Sequence, residues 1–164
     1  MKRLAVFAAV LVLAACAAPS MLVYSSGFTF SNYEYVVIAK PDGRGTSSSL
    51  YGTDVELANL LTRYNMKVVG DREYQNLSFA DKAKTLFARM SLEANGKRLV
   101  LSVSFDDAAT DKTGASITSY KKGNIYELDD RQEVFEEASK KIVAALQNDK
   151  GLSVKHDADL TAKK

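Results

Sequence analysis

Cys16 is the only cysteine of the 164-residue chain, and it stands at the end of an apolar N-terminal run. A single cysteine cannot form a disulfide within its own chain, and it cannot supply the several thiolates of a zinc site. We therefore expect the domain that follows to be held together by the packing of apolar side chains. The chain is long enough for one domain with its own core.

The residues before Cys16 have the pattern of an export signal. Lys2 and Arg3 form a positive start, residues 4–13 are apolar, and small residues follow. These are the parts of a secretory signal peptide. A transmembrane helix needs about 20 apolar residues, and this run is shorter. The sequence predicts an exported protein that has no permanent membrane-spanning helix.

The end of this segment carries a more specific motif. Leu13, Ala14, Ala15 and Cys16 resemble the lipobox of bacterial lipoproteins. The resemblance implies that the Cys16 thiol receives a diacylglyceryl group, that the signal peptidase cuts before Cys16, and that the new amino group is acylated. Ala17 stands where many inner-membrane lipoproteins carry Asp, which implies sorting to the outer membrane. A secreted protein cut at one of the neighbouring alanines is the alternative.

The charge balance bears on the class of partner. The chain has 22 basic and 20 acidic residues, and removal of Lys2 and Arg3 with the leader leaves 20 of each. Proteins that bind nucleic acid show a basic excess or a basic stripe. We therefore expect no nucleic-acid partner.

The chain divides into four predicted parts. Residues 1–15 are the signal peptide, 16–27 the lipidated N-terminus and a tether, 28–148 an α/β domain, and 149–164 a polar tail. The predicted element order is β-α-β-α-β-β-(β)-α. It favours a mixed sheet of about four to five strands packed by three helices.

The first half of the domain begins with a buried strand. Residues 36–39 are apolar on both faces, as in a central strand. Thr53 and Glu56 have the spacing of a capping box, which predicts the start of a helix. The apolar stripe of this helix comprises Leu57, Leu60, Leu61 and Tyr64. Residues 66–69 form a second short strand, and a helical turn is one interpretation of residues 72–77.

A second long helix is predicted from Ser78, which has the residue type of an N-cap. Its apolar face comprises Phe79, Ala83, Leu86, Phe87 and Met90, and Asn95-Gly96 is interpreted as its C-terminal stop. Residues 98–105 then alternate between apolar and polar side chains. This alternation predicts a strand with one face on the core.

The last part of the domain is interpreted as a strand pair and a helix. Residues 115–120 form one strand, Gly123-Asn124 a hairpin turn, and residues 125–128 the returning strand. Asp130 and Glu133 have capping-box spacing for the last helix. Its buried stripe comprises Phe135, Ala138, Ile142, Ala145 and Leu146.

Over residues 36–146 this order resembles a group of bacterial envelope lipoprotein domains. The group includes the curli-secretion lipoproteins, the lipoprotein activators of peptidoglycan synthases, and the N-terminal domain of the Tol-Pal propeller protein. The matching features are the second strand followed by Asp71-Arg72-Glu73, a helix, the strand at 98–105, a strand pair and a last helix. The resemblance implies the α/β fold and a role in the cell envelope.

One loop has the composition of an anion site. Gly43, Arg44, Gly45, Thr46 and Ser47 lie between a predicted strand and helix, where backbone amides can hold a phosphate or another ligand. The segment lacks the Lys-Ser/Thr ending of a P-loop. A plain connecting loop is the alternative.

Other polar residues do not form a catalytic pattern. Asp106, Asp107 and Asp111 are interpreted as a solvated turn, with a calcium loop as the alternative, since they lack the ligand spacing of an EF-hand. His156 is the only histidine and lies in the polar tail. We therefore expect no catalytic residues, no metal site and no cofactor.

Three tyrosines are candidates for contact with a partner. Tyr74, Tyr120 and Tyr126 fall at predicted loop or hairpin positions, and tyrosine is enriched in interfaces. Packing over a sheet edge is the alternative. Lys121 and Lys122 are interpreted as protection of an exposed strand edge.

Together these features predict a lipoprotein held in the bacterial outer membrane by the acyl chains on Cys16 and facing the periplasm. Its domain is expected to be a non-catalytic module that binds another envelope protein. The alternative is a module that binds a small ligand or a peptidoglycan fragment through the loop at residues 43–47.

Overall fold

The computed structural model describes residues 21–39 and 52–150, and these residues form a six-stranded mixed sheet with helices. The strands are β1 (Met21–Tyr24), β2 (Tyr35–Ile38), β3 (Lys67–Val69), β4 (Thr85–Asn95), β5 (Arg98–Asp107) and β6 (Thr113–Lys122). They lie in the order β1-β6-β5-β4-β2-β3. β2 is parallel to β3 and β4, and the other pairs are antiparallel. The predicted α/β class and mixed sheet are confirmed, and the sheet has six strands where about four to five are predicted.

The helices of the described residues are α1 (Thr53–Arg63), α2 (Asp71–Asn76), α3 (Phe79–Lys82) and α4 (Leu128–Lys150), and a 3₁₀ turn covers Phe30–Asn32. α4 packs against β5 and β6 and also contacts α1. All five residues of the predicted α4 stripe are buried. No helix in this part of the chain has both the length and the apolarity that crossing a membrane requires.

The parallel part of the sheet agrees with the sequence analysis. β2 lies between β3 and β4, and its Val36 and Val37 side chains are buried. Leu57 and Leu61 of α1 are buried in the same core. A β-α-β unit with a buried parallel strand follows from these apolar patterns.

The predicted start of α1 is wrong in one detail. The N-cap is Gly52, with φ 91°, and Thr53 is the first helical residue, so no side chain caps this helix. The Gly52 carbonyl accepts a hydrogen bond from the Glu56 amide at 2.9 Å. A capping-box spacing predicts a nearby helix start but not which residue adopts the cap conformation.

The prediction of a second long helix is wrong. Only Phe79–Lys82 is helical, and Thr85–Asn95 forms the long strand β4. Phe79 is 91% exposed, whereas the alternate residues Leu86, Ala88, Met90 and Leu92 face the core. The β4–β5 hairpin turns at Gly96 and Lys97, directly after the last β4 residue Asn95, so Asn95-Gly96 is not a helix stop. This dipeptide is a strong hairpin signal when it joins two alternating segments.

The predicted hairpin after β6 is also wrong. Residues 125–128 form no strand, because the chain turns at residues 123–127 and α4 begins at Leu128. Asp130 lies inside α4, where its carboxylate accepts a hydrogen bond from the Asn124 amide at 2.7 Å. Its role is to hold the turn onto the helix.

β1 comes from the segment that the sequence analysis assigns to a tether. Met21–Tyr24 pairs antiparallel with residues 115–118 of β6 and closes one edge of the sheet. Leu22 packs against the core, and the Tyr24 ring contacts Phe28 and Phe30. This part of the segment therefore belongs to the folded domain.

Candidate functional site

The two faces of the β4–β5–β6 antiparallel region differ in what covers them. Side chains alternate between faces along a strand. On one face Leu99, Leu101, Val103 and Phe105 of β5 are buried, as predicted, and α4 packs there. On the other face none of the side chains in the central part of these strands is buried. We call this second surface the open face; it comprises Met21, Val23, Arg89, Ser91, Glu93, Val100, Ser102, Ser104, Ser116, Thr118 and Tyr120.

The strand register arranges the open face in rows. Ser91, Ser102, Thr118 and Met21 lie side by side on four neighbouring strands. A second row comprises Arg89, Ser104, Ser116 and Val23, and a third comprises Glu93, Val100 and Tyr120. The centre therefore carries only small side chains and is uncharged, because its polar groups are hydroxyls; the charged Arg89 and Glu93 lie on β4, at its border.

The hydroxyl groups of this surface are available to a partner. Five of them come from Ser91, Ser102, Ser104, Ser116 and Thr118, and all five side chains are half-buried. Within the described ranges none of these five makes a side-chain hydrogen bond. A hydroxyl can both donate and accept, so the surface can meet either type of polar group.

A charged cluster borders the open face at one end. The Arg89 guanidinium donates to the Asp106 carboxylate at 2.6 Å, and the Thr113 hydroxyl donates to the same carboxylate, also at 2.6 Å. Asp106 is 2% exposed. A buried carboxylate needs such partners. Arg89 also lies 3.6 Å from the exposed carboxylate of Asp111.

Asp107 has a separate set of partners. The Tyr33 hydroxyl donates to it at 2.7 Å, and the Ala109 and Thr110 amides donate at 2.8 and 2.9 Å. Burial raises the pKa of Asp107, but these hydrogen bonds outweigh it and hold the pKa below its ordinary value. Burial, together with the hydrogen bond and the charge of Asp107, raises the pKa of Tyr33 to about 12.

These contacts bear on whether Asp106, Asp107 and Asp111 could act together as the ligands of a calcium ion. Asp106 and Asp107 are bonded to different parts of the fold, and Asp111 points to Arg89. Across residues 21–39 and 52–150, no three acidic, histidine or cysteine side chains are grouped as metal ligands would be. The aspartates bond the β5–β6 connection to its surroundings.

The three candidate tyrosines are not brought together. Tyr74 is half-buried on α2, with its ring centroid 5.1 Å from that of Phe87 and 5.5 Å from the Lys82 ammonium nitrogen. Tyr120 lies on the open face and is 40% exposed, and Tyr126 lies in the β6–α4 connection and is 86% exposed. Tyr120 and Tyr126 share one end of the sheet. Their part in an interface stays a prediction.

Other candidates lie outside the described residues. These are the lipobox residues Leu13, Ala14, Ala15 and Cys16, the loop residues Gly43, Arg44, Gly45, Thr46 and Ser47, and His156. Lys121, which was interpreted as edge protection, is paired with Asp130 and Glu133 of α4. Lys122 faces the other side of the sheet and is exposed.

Most of the open face does not follow from the sequence patterns. The Ser91 side of β4 was assigned to a helix, although Leu86, Ala88, Met90 and Leu92 alternate with polar or larger residues at the period of a strand. Ser102 and Ser104 were correctly placed on the side of β5 that faces away from the core. The signal for β4 was therefore present, but its partial helical period concealed it.

No protein-family model matches the chain, and no curated protein matches it. Solved structures do. The PelC dodecamer from Paraburkholderia phytofirmans is 12% identical, with a TM-score of 0.44 over 78% of this chain and 96% of that chain. The lipoprotein GNA1162 from Neisseria meningitidis is 11% identical, with a TM-score of 0.39 over 68% of this chain and 96% of that chain.

Proposed function

We propose that this protein is a lipid-anchored outer-membrane lipoprotein whose periplasmic domain is a non-catalytic module for binding another envelope protein. The anchor is the pair of lipid modifications on Cys16 that the lipobox motif predicts. Two or more acyl chains hold a protein stably on a membrane, whereas one is marginal.

The open face is the observation that supports a binding role. It extends over four strands, its centre carries no charge, and its five small hydroxyl side chains make no bonds within the described fold. Tyr120, at one end of this surface, has the amphipathic ring that is common in interfaces. Such a surface fits the flat face of another protein better than it fits a small molecule, because ligand sites are concave.

A site-specific crosslink tests this proposal. A photoreactive amino acid placed at Ser102 or at Ser116 in the full-length lipoprotein should capture the same envelope protein in living cells. The control position is Glu56, an exposed residue of α1. This helix contacts α4, and it therefore lies on the side of the sheet opposite to the open face. Glu56 should not capture that protein.

A second variant makes the test specific. Ser104→Arg places a long charged side chain in the middle of the open face and should abolish the crosslink from Ser102. Glu56→Arg should leave it unchanged. If Ser102 and Ser116 capture nothing in common, or if Ser104→Arg has no effect, the open face is not the binding surface.

A further inference from the structure

Two turns form one end of the sheet, which we call the hairpin end. The first is the β4–β5 turn at Gly96 and Lys97, and the second is the connection from Gly123 to α4. They are joined directly, since the Gly123 amide donates to the Lys97 carbonyl at 3.0 Å. Lys67 and Lys112 lie at the opposite end: Lys67 is level with Tyr35 at the start of β2, and the Lys112 carbonyl accepts from the Asp107 amide.

Exposed apolar and aromatic side chains gather at the hairpin end. Tyr120 comes near the end of β6, Tyr126 follows in the connection to α4, and Leu128 is the first residue of α4; Tyr126 is 86% and Leu128 62% exposed. Exposing such side chains to water is unfavourable. Tyrosine in particular favours the boundary between lipid and water.

The chain enters the domain from the same end. β1 is antiparallel to β6, with Met21 opposite Thr118 and Tyr24 opposite Ala115. The start of β1 therefore points toward the hairpin end. Cys16 is five residues before Met21, so their Cα atoms are at most about 18 Å apart. A lipid on Cys16 thus holds this end of the domain near the bilayer.

Unpaired cations lie on the sheet side of the hairpin end. Arg98 and Lys122 are direct neighbours across β5 and β6, Lys97 lies in the turn, and all three are exposed. Among the described residues, none of the three has a carboxylate within 4.0 Å. Neighbouring cations attract phosphate groups, at about 1 kcal/mol for each cation near an anionic lipid surface.

Most acidic side chains of this end belong to the helix side; Glu93, in the third row of the open face, is the exception and lies on the sheet side. Asp130 and Glu133 are neutralised by Lys121, while Glu127 and Asp129 are exposed where α4 begins. With three cations against one carboxylate, the sheet side therefore suits an anionic phospholipid surface better than the helix side does. The hairpin end can therefore contact a bilayer through its sheet side.

We infer that the sheet side of the hairpin end docks on the phospholipid surface, with Lys97, Arg98 and Lys122 among the headgroups and Tyr120 and Tyr126 at the lipid–water boundary. The inference rests on the proposed anchor at Cys16. The strands then stand steeply on the membrane. The open face is turned sideways, toward proteins held in the same membrane.

Lysine footprinting of the intact lipoprotein tests the inference. The protein is reconstituted in vesicles of phosphatidylethanolamine and phosphatidylglycerol or kept in detergent micelles, and its amines are modified with a water-soluble reagent. Lys97 and Lys122 should react about fivefold more slowly on vesicles than in micelles. Lys67 and Lys112, at the opposite end, should react equally in both.

Paired variants separate docking from simple anchoring. Tyr120→Ser combined with Tyr126→Ser should restore most of the reactivity of Lys97 and Lys122 on vesicles. Phe79→Ser is the matched control, because Phe79 is 91% exposed but lies before β4, near the opposite end of the sheet. It should leave the protection unchanged. All three side chains are exposed, so the variants should fold.

The outcomes distinguish the two proposals. Protein that floats with vesicles but shows equal reactivity in vesicles and micelles would overturn the docking and leave the anchor standing. Protection of Lys67 and Lys112 instead would also overturn it. Protein that does not float with vesicles would overturn the anchor itself, and the docking with it.

Discussion

At the scale of single residues, the contacts that matter most are those of the acidic side chains after β5. Asp106 is buried against Arg89 and Thr113, and Asp107 accepts hydrogen bonds from Tyr33 and two backbone amides. A carboxylate that accepts several hydrogen bonds is favoured in its charged form. Proton binding to Asp107 is therefore coupled to the stability of the fold.

We predict that the free energy of unfolding falls as the pH drops below about 4, partly because of Asp107. Its pKa is lower in the folded than in the unfolded chain, so its contribution is present above the unfolded pKa. That contribution is lost as the pH falls through the folded pKa. Asp107→Asn should make the free energy of unfolding, measured by urea denaturation, less dependent on pH in this acidic range.

The control for this prediction is Asp111→Asn. The Asp111 side chain is 83% exposed, so this substitution removes a carboxylate of the same connection that few groups contact. It should leave the acid dependence close to that of the unaltered protein. An equal change in both variants would mean that the contacts of Asp107 are not the cause.

At the scale of elements, the β4–β5 hairpin is the feature that defines the open face. It presents Arg89, Ser91 and Glu93 on one face and buries the residues between them. Its turn requires a left-handed backbone at Gly96, with φ 62°. A residue with a Cβ atom adopts this conformation at a cost.

We predict that Gly96→Ala lowers the free energy of unfolding by about 1 kcal/mol, because of this backbone conformation and not because of a clash. A Cβ atom at Gly96 would lie in open space. Gly70→Ser is the control: Gly70 has φ −82°, serine is favoured at the N-cap of α2 that Gly70 occupies, and the nearest neighbour of the added Cβ atom would be a Glu73 carboxylate oxygen at 3.9 Å. Urea denaturation of the two variants measures the difference, and equal losses would contradict the explanation.

At the scale of the whole molecule, the long antiparallel strands and α4 form the main body, and β1 is a short addition at one edge. β1 has four residues and pairs only with β6, whereas β5 has ten and is paired on both sides. Local opening requires less free energy where few bonds must break. The body and the edge should therefore differ in stability.

We predict that amide hydrogen exchange is slowest in β5 and in the middle of α4 and much faster in β1. Mass spectrometry of the full lipoprotein in detergent micelles measures the exchange rate of each segment. Within β6, residues 115–118, which pair with β1, provide an internal comparison with residues 119–122, which lie beyond the first residue of β1. If β1 exchanged as slowly as β5, it would be an integral part of the main body.

Several elements could be predicted from the sequence because their signals are local. The apolar run at Val36 and Val37 identified a buried strand, and the stripe from Phe135 to Leu146 identified α4. The alternation along β5 identified both its core side and its outward serines. In each case the apolar side chains fit either the period of a helix or the period of a strand, and they do not fit both.

Residues 79–95 could not be assigned in this way, because two periods compete there. Leu86, Phe87 and Met90 have helical spacing, while Leu86, Ala88, Met90 and Leu92 have strand spacing. A strand needs partners from elsewhere in the chain, here β2 and β5, and local patterns do not show them. The same is true of β1, whose partner β6 is about ninety residues away in the sequence.

The sequence alone determined the α/β class, the buried parallel strand, α4, and the lipobox motif that predicts a membrane anchor. Only the tertiary structure decided that β4 is a strand, that β1 closes the sheet edge, and that five hydroxyl side chains form one open face. The physical reason is the range of the forces involved. Helix and core periodicity depend on neighbouring residues, whereas the sheet and its uncovered face depend on pairing and packing between distant segments.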